Sequence, residues 1–462
     1  MTRSDDPQKN RTPASRPNPG YAFLRLFTDI RPGEAAKALL LTLNIFLLLL
    51  AYYLIKPVRE ALLLVDKDAP RIKSYLSGAQ AVLLVFVILG FSWLASKVSR
   101  HKLITWVTLF FVSNLAVFYV LHLAGVGAGV MGIVFFIWIG IFNLLVVAQF
   151  WGFANDLYAP ETGKRIFPLI AFGATLGAVA GSRVAKLIIG PLGLYNMMLL
   201  SGALLLACIV LAVFIHKREV AFSPGEEPPE RAAQTQPLKP GDGFSLVVKT
   251  RYLFFIALAI LVYNFINTIG EYIISDVATR AGLAAVAQGK AESMGVFIGG
   301  FFSDYQFLTN TLALVIQLFL VSRIFKWLGV GGALFVLPFI ALGGYAFISM
   351  GATLLLVKWV KSLENGTDYS LMNTTKAALF LVTPREEKYK AKAAIDTFFV
   401  RGGDALAALA VFVGTTFLGL SIERFAVLNI VFVLLWISLS LMIYKHYKLR
   451  RGRAESAVKA DS

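Results

Sequence analysis

The stretch KREVAFSPGEEPPERAAQTQPLKPGDGFSLVVK, residues 217–249, separates two long apolar regions of the chain. It is rich in proline, glycine and charge, a composition that is typical of a linker. The chain as a whole is 57% hydrophobic and its mean hydropathy is +0.71. A soluble domain of 462 residues cannot bury that much apolar surface. The sequence therefore predicts an integral membrane protein.

Twelve runs reach the roughly 20 apolar residues that a membrane-spanning helix needs. They cover residues 37–64, 75–96, 102–124, 129–155, 165–189, 194–215, 250–276, 294–322, 330–350, 352–382, 390–418 and 423–446. Within the eighth run, GVFIGGFFSDYQ predicts a broken or re-entrant entry. Because 217–249 lies between the sixth and seventh runs, we expect an all-α membrane protein of the major facilitator type, with two pseudo-symmetric six-helix halves.

The charge of the loops predicts the domain limits and the orientation. We expect a disordered cytoplasmic tail at 1–36, halves at 37–216 and 250–447, and a basic cytoplasmic tail at 448–462. Lysine and arginine are concentrated in the tails, the linker and SKVSRHK, whereas the turns HLAGVGAGV and MGAT contain neither. Both termini are thus predicted to be cytoplasmic, in a bacterial inner membrane. This bias explains most of the +17 formal charge, so we expect no nucleic-acid partner, although the C-terminal cluster can contact anionic lipid.

Several kinds of chemistry find no support in the sequence. No segment matches the phosphate-binding pattern G-x-x-x-x-G-K-[ST], and GAGVMG, residues 127–132, follows a membrane span instead of a strand, which favours a tight turn over a dinucleotide site. The four histidines lie at span ends without ligand spacing, so we expect neither a metal nor a cofactor. Cys208 is expected to be a small packing residue. We do not expect an enzyme.

Charged side chains inside predicted spans are costly in lipid and mark a pathway, a site or an internal ion pair. In the first span, Lys56, Arg59 and Glu60 share one helical face, provided that the helix continues past Pro57. The alternative is an exposed loop before the second span. If the helix continues, these residues form a cationic patch near its outer end.

The seventh and fourth spans also carry polar residues at helical spacing. In the seventh they form a narrow stripe that should face a cavity: Asn264, Asn267, Thr268, Glu271 and Ser275. In the fourth, Gln149 and Asp156 are nearly superposed on the helix. The alternative for Asp156 is a cap, or pairing with the basic residues that follow it.

The tenth span is the most charged one. One face carries Lys361, Asn365, Asp368, Met372 and Lys376. Pairing of Lys361 with Glu364 at i+3 would neutralise part of this charge. Lys376 has no opposite charge within its own helical turn and is the foremost candidate for a substrate contact. Spans one, four, seven and ten line the central cavity of the facilitator fold, which favours a transporter.

Four further stretches are informative: KPVREALLL, QFWGFAND followed by KRIFPLIAFGATLGAVAGS, NTIGEYIISD and DYSLMNTTKAALFLVTPREEKYKAKAAIDTFFVRGGD. They resemble the nucleotide transporter family, the ATP/ADP translocases of plastids and of intracellular bacteria. The similarity runs in order from about residue 35 to residue 445. The resemblance implies a nucleotide substrate and exchange of ATP for ADP.

The resemblance also implies four exchange residues, which fall on Lys56, Asp156, Glu271 and on Lys376 or a position close to it. There are two departures. Family members that exchange ATP for ADP usually have glutamate where Asp156 stands, and an acidic residue where this chain has Ala377. The substrate is therefore open within the family.

A nucleotide cargo is compatible with the residues themselves. Lys56, Arg59 and Lys376 can bind phosphate oxygens. Base or polar contacts are predicted for Tyr52, Tyr53, Trp151, Asn267, Asp368 and Tyr369. From depth and sign we further predict two alternating gates between the halves, Lys56 with Glu271 outside and Asp156 with Lys376 inside.

Three functions are compatible with this sequence. The first is secondary transport of nucleotides, with ATP/ADP exchange by alternating access. The second is a facilitator or proton-coupled carrier of another organic anion. The third is a membrane sensor that binds nucleotide or lipid without transporting it.

Overall fold

The computed structural model describes residues 34–98, 100–158, 160–222, 240–384 and 387–460. In these ranges all regular secondary structure is helical. Among the described residues, ten helices are long and apolar enough to cross a membrane, and a shorter apolar helix covers Val336–Met350. The predicted all-α membrane fold is confirmed. Residues 1–33 of the tail predicted at 1–36 and residues 223–239 of the linker predicted at 217–249 lie outside the described residues.

The first half of the protein consists of six helices. They are α1 (Ala35–Leu63), α2 (Ala69–Lys97), α3 (Arg100–Leu123), α4 (Ala128–Leu157), α5 (Pro160–Leu192) and α6 (Leu194–Phe222). Helix α1 continues through Pro57, so the interpretation of this segment as an exposed loop is wrong. A short helix, Pro240–Lys249, lies within the segment that the sequence predicts as a linker.

The second half also consists of six long helical segments, three of which change helix type along their length. Three are α-helical throughout: α7 (Arg251–Ala287), α9 (Val336–Met350) and α12 (Ile422–Ala460). Helix α8 consists of Met294–Val315, a π turn at Ile316–Leu320 and Val321–Ala333, and α10 consists of Leu354–Thr367, a π turn at Asp368–Met372, Asn373–Leu379 and a 3₁₀ turn at Phe380–Val382. Helix α11 begins with π turns at Glu387–Ala391 and Ile395–Phe399 on either side of Lys392–Ala394 and continues as Val400–Thr416.

The entry of α8 differs from the prediction. The sequence predicts a broken or re-entrant start, but the helix begins regularly at Met294, where the Ser293 hydroxyl accepts a hydrogen bond from Val296 N. The break lies instead at Gly329, whose φ of 67° is a conformation that glycine adopts without steric cost. Gly299, near the start of α8, allows close packing against α5, because a Cβ at this position would collide with the side chain of Ile189.

Each half has its own apolar core. One cluster of buried residues lies entirely between residues 35 and 215. The other lies between residues 247 and 443, with Leu64 and Ala69 as its only members from the first half. Six helices around each core are consistent with the major facilitator layout, in which the two halves move relative to each other.

Glycines of α5 allow close packing against α1. A Cβ on Gly177 would collide with the carbonyl oxygen of Phe46, and one on Gly181 would lie 2.7 Å from Leu50 O. Such small residues let two helical backbones approach closely. The helix that carries Lys56 is therefore held rigidly within the first half.

The two halves meet at the end of the bundle that carries Asp66, which we call the Asp66 end. Here α2 crosses α11, with the rings of Tyr75 and Phe412 5.7 Å apart. Helix α5 crosses α8, with Lys186 Nζ 3.1 Å from Asp304 Oδ2. The structure is closed at this end. The opposite end, where α4 reaches Tyr158, is called the Tyr158 end.

Candidate substrate cavity

A cavity of about 360 Å³ lies between the two halves. Its volume is within the range of small-molecule sites, about 300–1,000 Å³. Seven helices line it, with the following residues: Tyr52, Tyr53, Lys56, Arg59 and Glu60 of α1; Lys73, Ser74, Ser77 and Gln80 of α2; Phe136 of α4; Asn267, Thr268, Glu271 and Tyr272 of α7; Phe302, Tyr305, Gln306, Thr309 and Asn310 of α8; Asn365 and Tyr369 of α10; and Arg401 and Asp404 of α11.

Three cations of the first half line the cavity. Lys56 Nζ lies 5.1 Å from the ring centre of Tyr53 and has no carboxylate within 4 Å among the described residues. Arg59 Nε donates a hydrogen bond to Glu60 Oε1 at 3.0 Å. Lys73 Nζ lies 2.9 Å from Glu60 Oε2. Since Arg59 and Lys73 share one carboxylate, the first half gives the cavity a net positive wall.

Lys73 also joins the first half to the second. Its ammonium group donates a hydrogen bond to Ser275 Oγ at 2.8 Å and lies 3.9 Å from Glu271 Oε2. The side chain of Lys73 is only 6% exposed. The predicted outer gate pairs Glu271 with Lys56, but in this structure Lys73 takes that place. The reason is that α2 begins at Ala69, so that Lys73 lies on the helix and at the level of Ser275.

The wall of the second half is net negative. Glu271 Oε1 accepts hydrogen bonds from Tyr305 OH and Asn365 Nδ2, both at 3.2 Å. Arg401 lies 3.3 Å from Asp404 Oδ2, and Asp404 Oδ1 accepts from Thr268 at 2.8 Å. One cation therefore faces two carboxylates here. The polar stripe that the sequence predicts on α7 thus lies on this cavity through Asn267, Thr268 and Glu271.

A buried ion pair supports this wall from behind. Lys361 Nζ lies 3.0 Å from Glu364 Oε2, as the i+3 spacing predicts, and both side chains are fully buried. Lys361 also donates to Asn267 Oδ1 at 2.9 Å, and Tyr345 OH donates to Glu364 at 3.1 Å. The network fixes the orientation of the Asn267 amide at the cavity.

Four predicted site residues do not line the cavity. Asp156 is exposed near the Tyr158 end of α4, where the ring of Trp151 lies 5.8 Å from that of Phe167. Lys376 Nζ lies 3.1 Å from Asp368 Oδ1 and 4.6 Å from the ring centre of Tyr263. The prediction pairs Lys376 with Asp156, whereas its ion pair in this structure is within α10.

Comparison with known proteins decides the family. The profile of the TLC ATP/ADP transporter family matches residues 130–447. The chain belongs to the TLC ATP/ADP transporter family. Two relatives of this family member are ADP,ATP carrier protein 1 of Chlamydia pneumoniae, 25% identical over 58% of the chain and 57% of the relative, and ADP,ATP carrier protein 1 of Chlamydia trachomatis serovar D, 24% identical over 56% and 54%. The match thus spans little more than half the length of these carriers.

Solved structures show that this TLC family member shares its fold with known transporters. The nucleoside transporter NupG superposes with a TM-score of 0.63 at 14% identity, covering 89% of this chain and 99% of the other. A bacterial homologue of the lysosomal transporter Spinster, in an inward-facing conformation, gives 0.59 at 13% identity, covering 91% and 99%. At these identities the similarity concerns the fold. The predicted major facilitator architecture is confirmed.

The family match covers only part of the predicted resemblance. It begins at residue 130, so the segment with Lys56 and Arg59 lies outside it, whereas Asp156, Glu271 and Lys376 lie within it. As candidate site residues, Lys56 and Arg59 are therefore supported by their position on the cavity wall and not by the family match.

The residues that α2, α8 and α11 contribute to the cavity wall are absent from the sequence-based prediction. Lys73 precedes the predicted second span, although Pro70 just before it is a common signal of a helix start. The sequence does not predict Gln306 and Thr309 of α8 as site residues, because they are uncharged and lie among aromatic residues. Their spacing of three places them on one helical face, which is the signal that could have found them.

Proposed function

We propose that this protein is a secondary transporter that carries nucleotides across a membrane, with ATP/ADP exchange by alternating access as its activity. The observation that carries the proposal is the cationic wall of a cavity between two six-helix halves. Lys56 and Arg59 supply charge-assisted hydrogen bonds to phosphate oxygens. The rings of Tyr52 and Tyr369, which also line the cavity, supply surfaces for a base.

The relatives support a nucleotide as the cargo. Both chlamydial relatives are named as carriers of ADP and ATP. In the proposed cycle, phosphate in the cavity competes with Glu271 and Ser275 for the ammonium group of Lys73, which loosens the closed Asp66 end. Acids beside the cations also prevent the cargo from binding too tightly to be released. Asp156, Trp151, Asp368 and Lys376 would act at the Tyr158 end, where the cargo enters or leaves when that end opens.

The test is uptake of labelled ATP into liposomes that contain the purified protein. Uptake that requires ADP inside the liposomes supports exchange, and Lys56→Met should abolish it while leaving the protein folded. Uptake of another organic anion with a proton, without competition by nucleotides, would replace this function by the second one. Saturable nucleotide binding without flux would indicate a sensor.

We also propose that the protein lies in a bacterial inner membrane with both termini in the cytoplasm, as two pseudo-symmetric halves. The basic residues near the Tyr158 end support this orientation, because lysine and arginine are retained on the cytoplasmic side. Cysteines introduced at exposed Leu123 and Leu449 test it. In intact cells, a membrane-impermeant maleimide should label the first and not the second. The reverse pattern would invert the orientation.

A further inference from the structure

The two walls of the cavity differ in charge and in hydrogen-bonding capacity. The first half contributes Lys56, Arg59 and Lys73 against the single carboxylate of Glu60. The second half contributes more negative than positive side chains, as described above. An elongated ligand with one anionic end is therefore oriented by the cavity, with that end toward α1 and α2.

Three residues of α8 and α10 that line the cavity carry hydrogen-bond acceptors without a partner among the described residues. Gln306 Oε1, Thr309 Oγ1 and Asn365 Oδ1 are buried and accept no hydrogen bond from the described residues. The three side chains are only 4%, 4% and 5% exposed. An acceptor that is buried without a partner costs free energy, so such groups in a cavity wall indicate a ligand that donates hydrogen bonds.

The orientation of Asn365 supports this interpretation. Its amide nitrogen donates to Tyr305 OH at 2.7 Å and to Glu271 Oε1 at 3.2 Å. The amide is thereby fixed, and its oxygen is the atom that has no hydrogen-bond partner among the described residues. Beside it, the ring of Tyr369 is 44% exposed and lies on the same cavity. An aromatic face next to three acceptors matches a nucleoside, which has a flat base, an exocyclic amine and ribose hydroxyls.

We propose that Gln306, Thr309 and Asn365 bind the nucleoside end of the substrate and determine its specificity, while the wall of Lys56 and Arg59 binds the phosphates. This assignment rests on the proposed function, because it presupposes a nucleotide. The second half of the transporter thus recognises the nucleoside, and the first half binds the charged phosphates.

The experiment compares ligands that contain one end or both. Binding of ADP, adenosine and inorganic pyrophosphate is measured by calorimetry on the full-length protein in detergent, for the wild type and for Gln306→Met, Thr309→Val and Lys56→Met. Each of the first two variants should weaken ADP and adenosine binding about 3- to 10-fold, as expected for one neutral hydrogen bond, and leave pyrophosphate binding unchanged. Lys56→Met should weaken ADP and pyrophosphate and spare adenosine.

A thermal-unfolding measurement separates this role from a structural one. Since Gln306 Oε1 and Thr309 Oγ1 have no hydrogen-bond partner in the part of the chain that the structure describes, apolar replacements of similar shape should leave the ligand-free protein at least as stable as the wild type. Variants that lose stability without a ligand-dependent pattern would overturn the assignment, as would wild-type ADP affinity in both. A wild-type protein that binds no nucleotide would instead refute the proposed function.

Discussion

Removal of the ammonium group of Lys73 should open the Asp66 end. Lys73→Met removes four contacts, including a cation–π contact with the ring of Phe302 at 5.2 Å, but the one to Glu60 is within the first half and is lost equally in the closed and open conformations. The bond to Ser275 at 2.8 Å and the 3.9 Å contact to Glu271 join the halves and exist only when this end is closed. A hydrogen bond to a charged group contributes about 1.5–3 kcal/mol. The ratio of closed to open molecules should therefore fall about 10- to 100-fold.

Spin labels on opposite halves measure this ratio by pulsed electron resonance. Leu123 and Met350 are suitable sites, because they lie at the Asp66 end and are 68% and 85% exposed. Cys208 is replaced by alanine in all variants. Lys67→Met is the matched control, since it removes an exposed lysine from the loop before α2 and should change the ratio by less than about threefold. A Lys73→Met distance distribution that equals those of the wild type and the control would refute the reasoning.

Three further predictions concern packing. Lys361→Met leaves the fully buried Glu364 without its cation and should destabilise the protein by about 3–5 kcal/mol. Adding Glu364→Leu should restore most of the unfolding temperature. A double variant that is no more stable than Lys361→Met alone would contradict this prediction. Gly177→Ala should cost about 1–3 kcal/mol in the same assay because its Cβ collides with α1, while Gly190→Ala, with nothing within 4 Å, should be neutral, and equal effects would argue against the packing. Cys208, 4% exposed, should react with a permeant maleimide only after unfolding, and rapid labelling of the native protein would show that it is not buried.

The sequence predicts the fold well because membrane spans are set by length and hydropathy. The ion pair of Lys361 and Glu364 was also predictable, since its two residues are three apart on one helix. Contacts between distant segments were less accessible. Opposite charge and similar depth suggest Lys56 as the partner of Glu271, but the choice between Lys56 and Lys73 depends on how α2 crosses α7, which no local pattern encodes.

Helix type explains another difference. The sequence gives Lys376 no opposite charge within one α-helical turn, yet it pairs with Asp368, eight residues before it. The intervening π turn at Asp368–Met372 changes the spacing of side chains, and such turns have no simple signature in hydropathy. The sequence does not indicate the uncharged acceptors of α8 for a different reason. Buried glutamine and threonine are common in packed helices, and only their position on the cavity wall indicates a functional role.

The π turn in α10 also shifts the helical register between the two regular segments that flank it. A π turn contains one residue more than an α-helical turn, so deletion of a single residue within Asp368–Met372 would restore a continuous α-helix. Each residue advances an α-helix by about 100°, and the segment from Asn373 onward would turn by that angle relative to Asn365. Lys376 would then leave the face it shares with Asp368. If the deleted residue is Ser370, the change would separate Lys376 from the α10 residues on the cavity wall, Asn365 and Tyr369, through chain length alone.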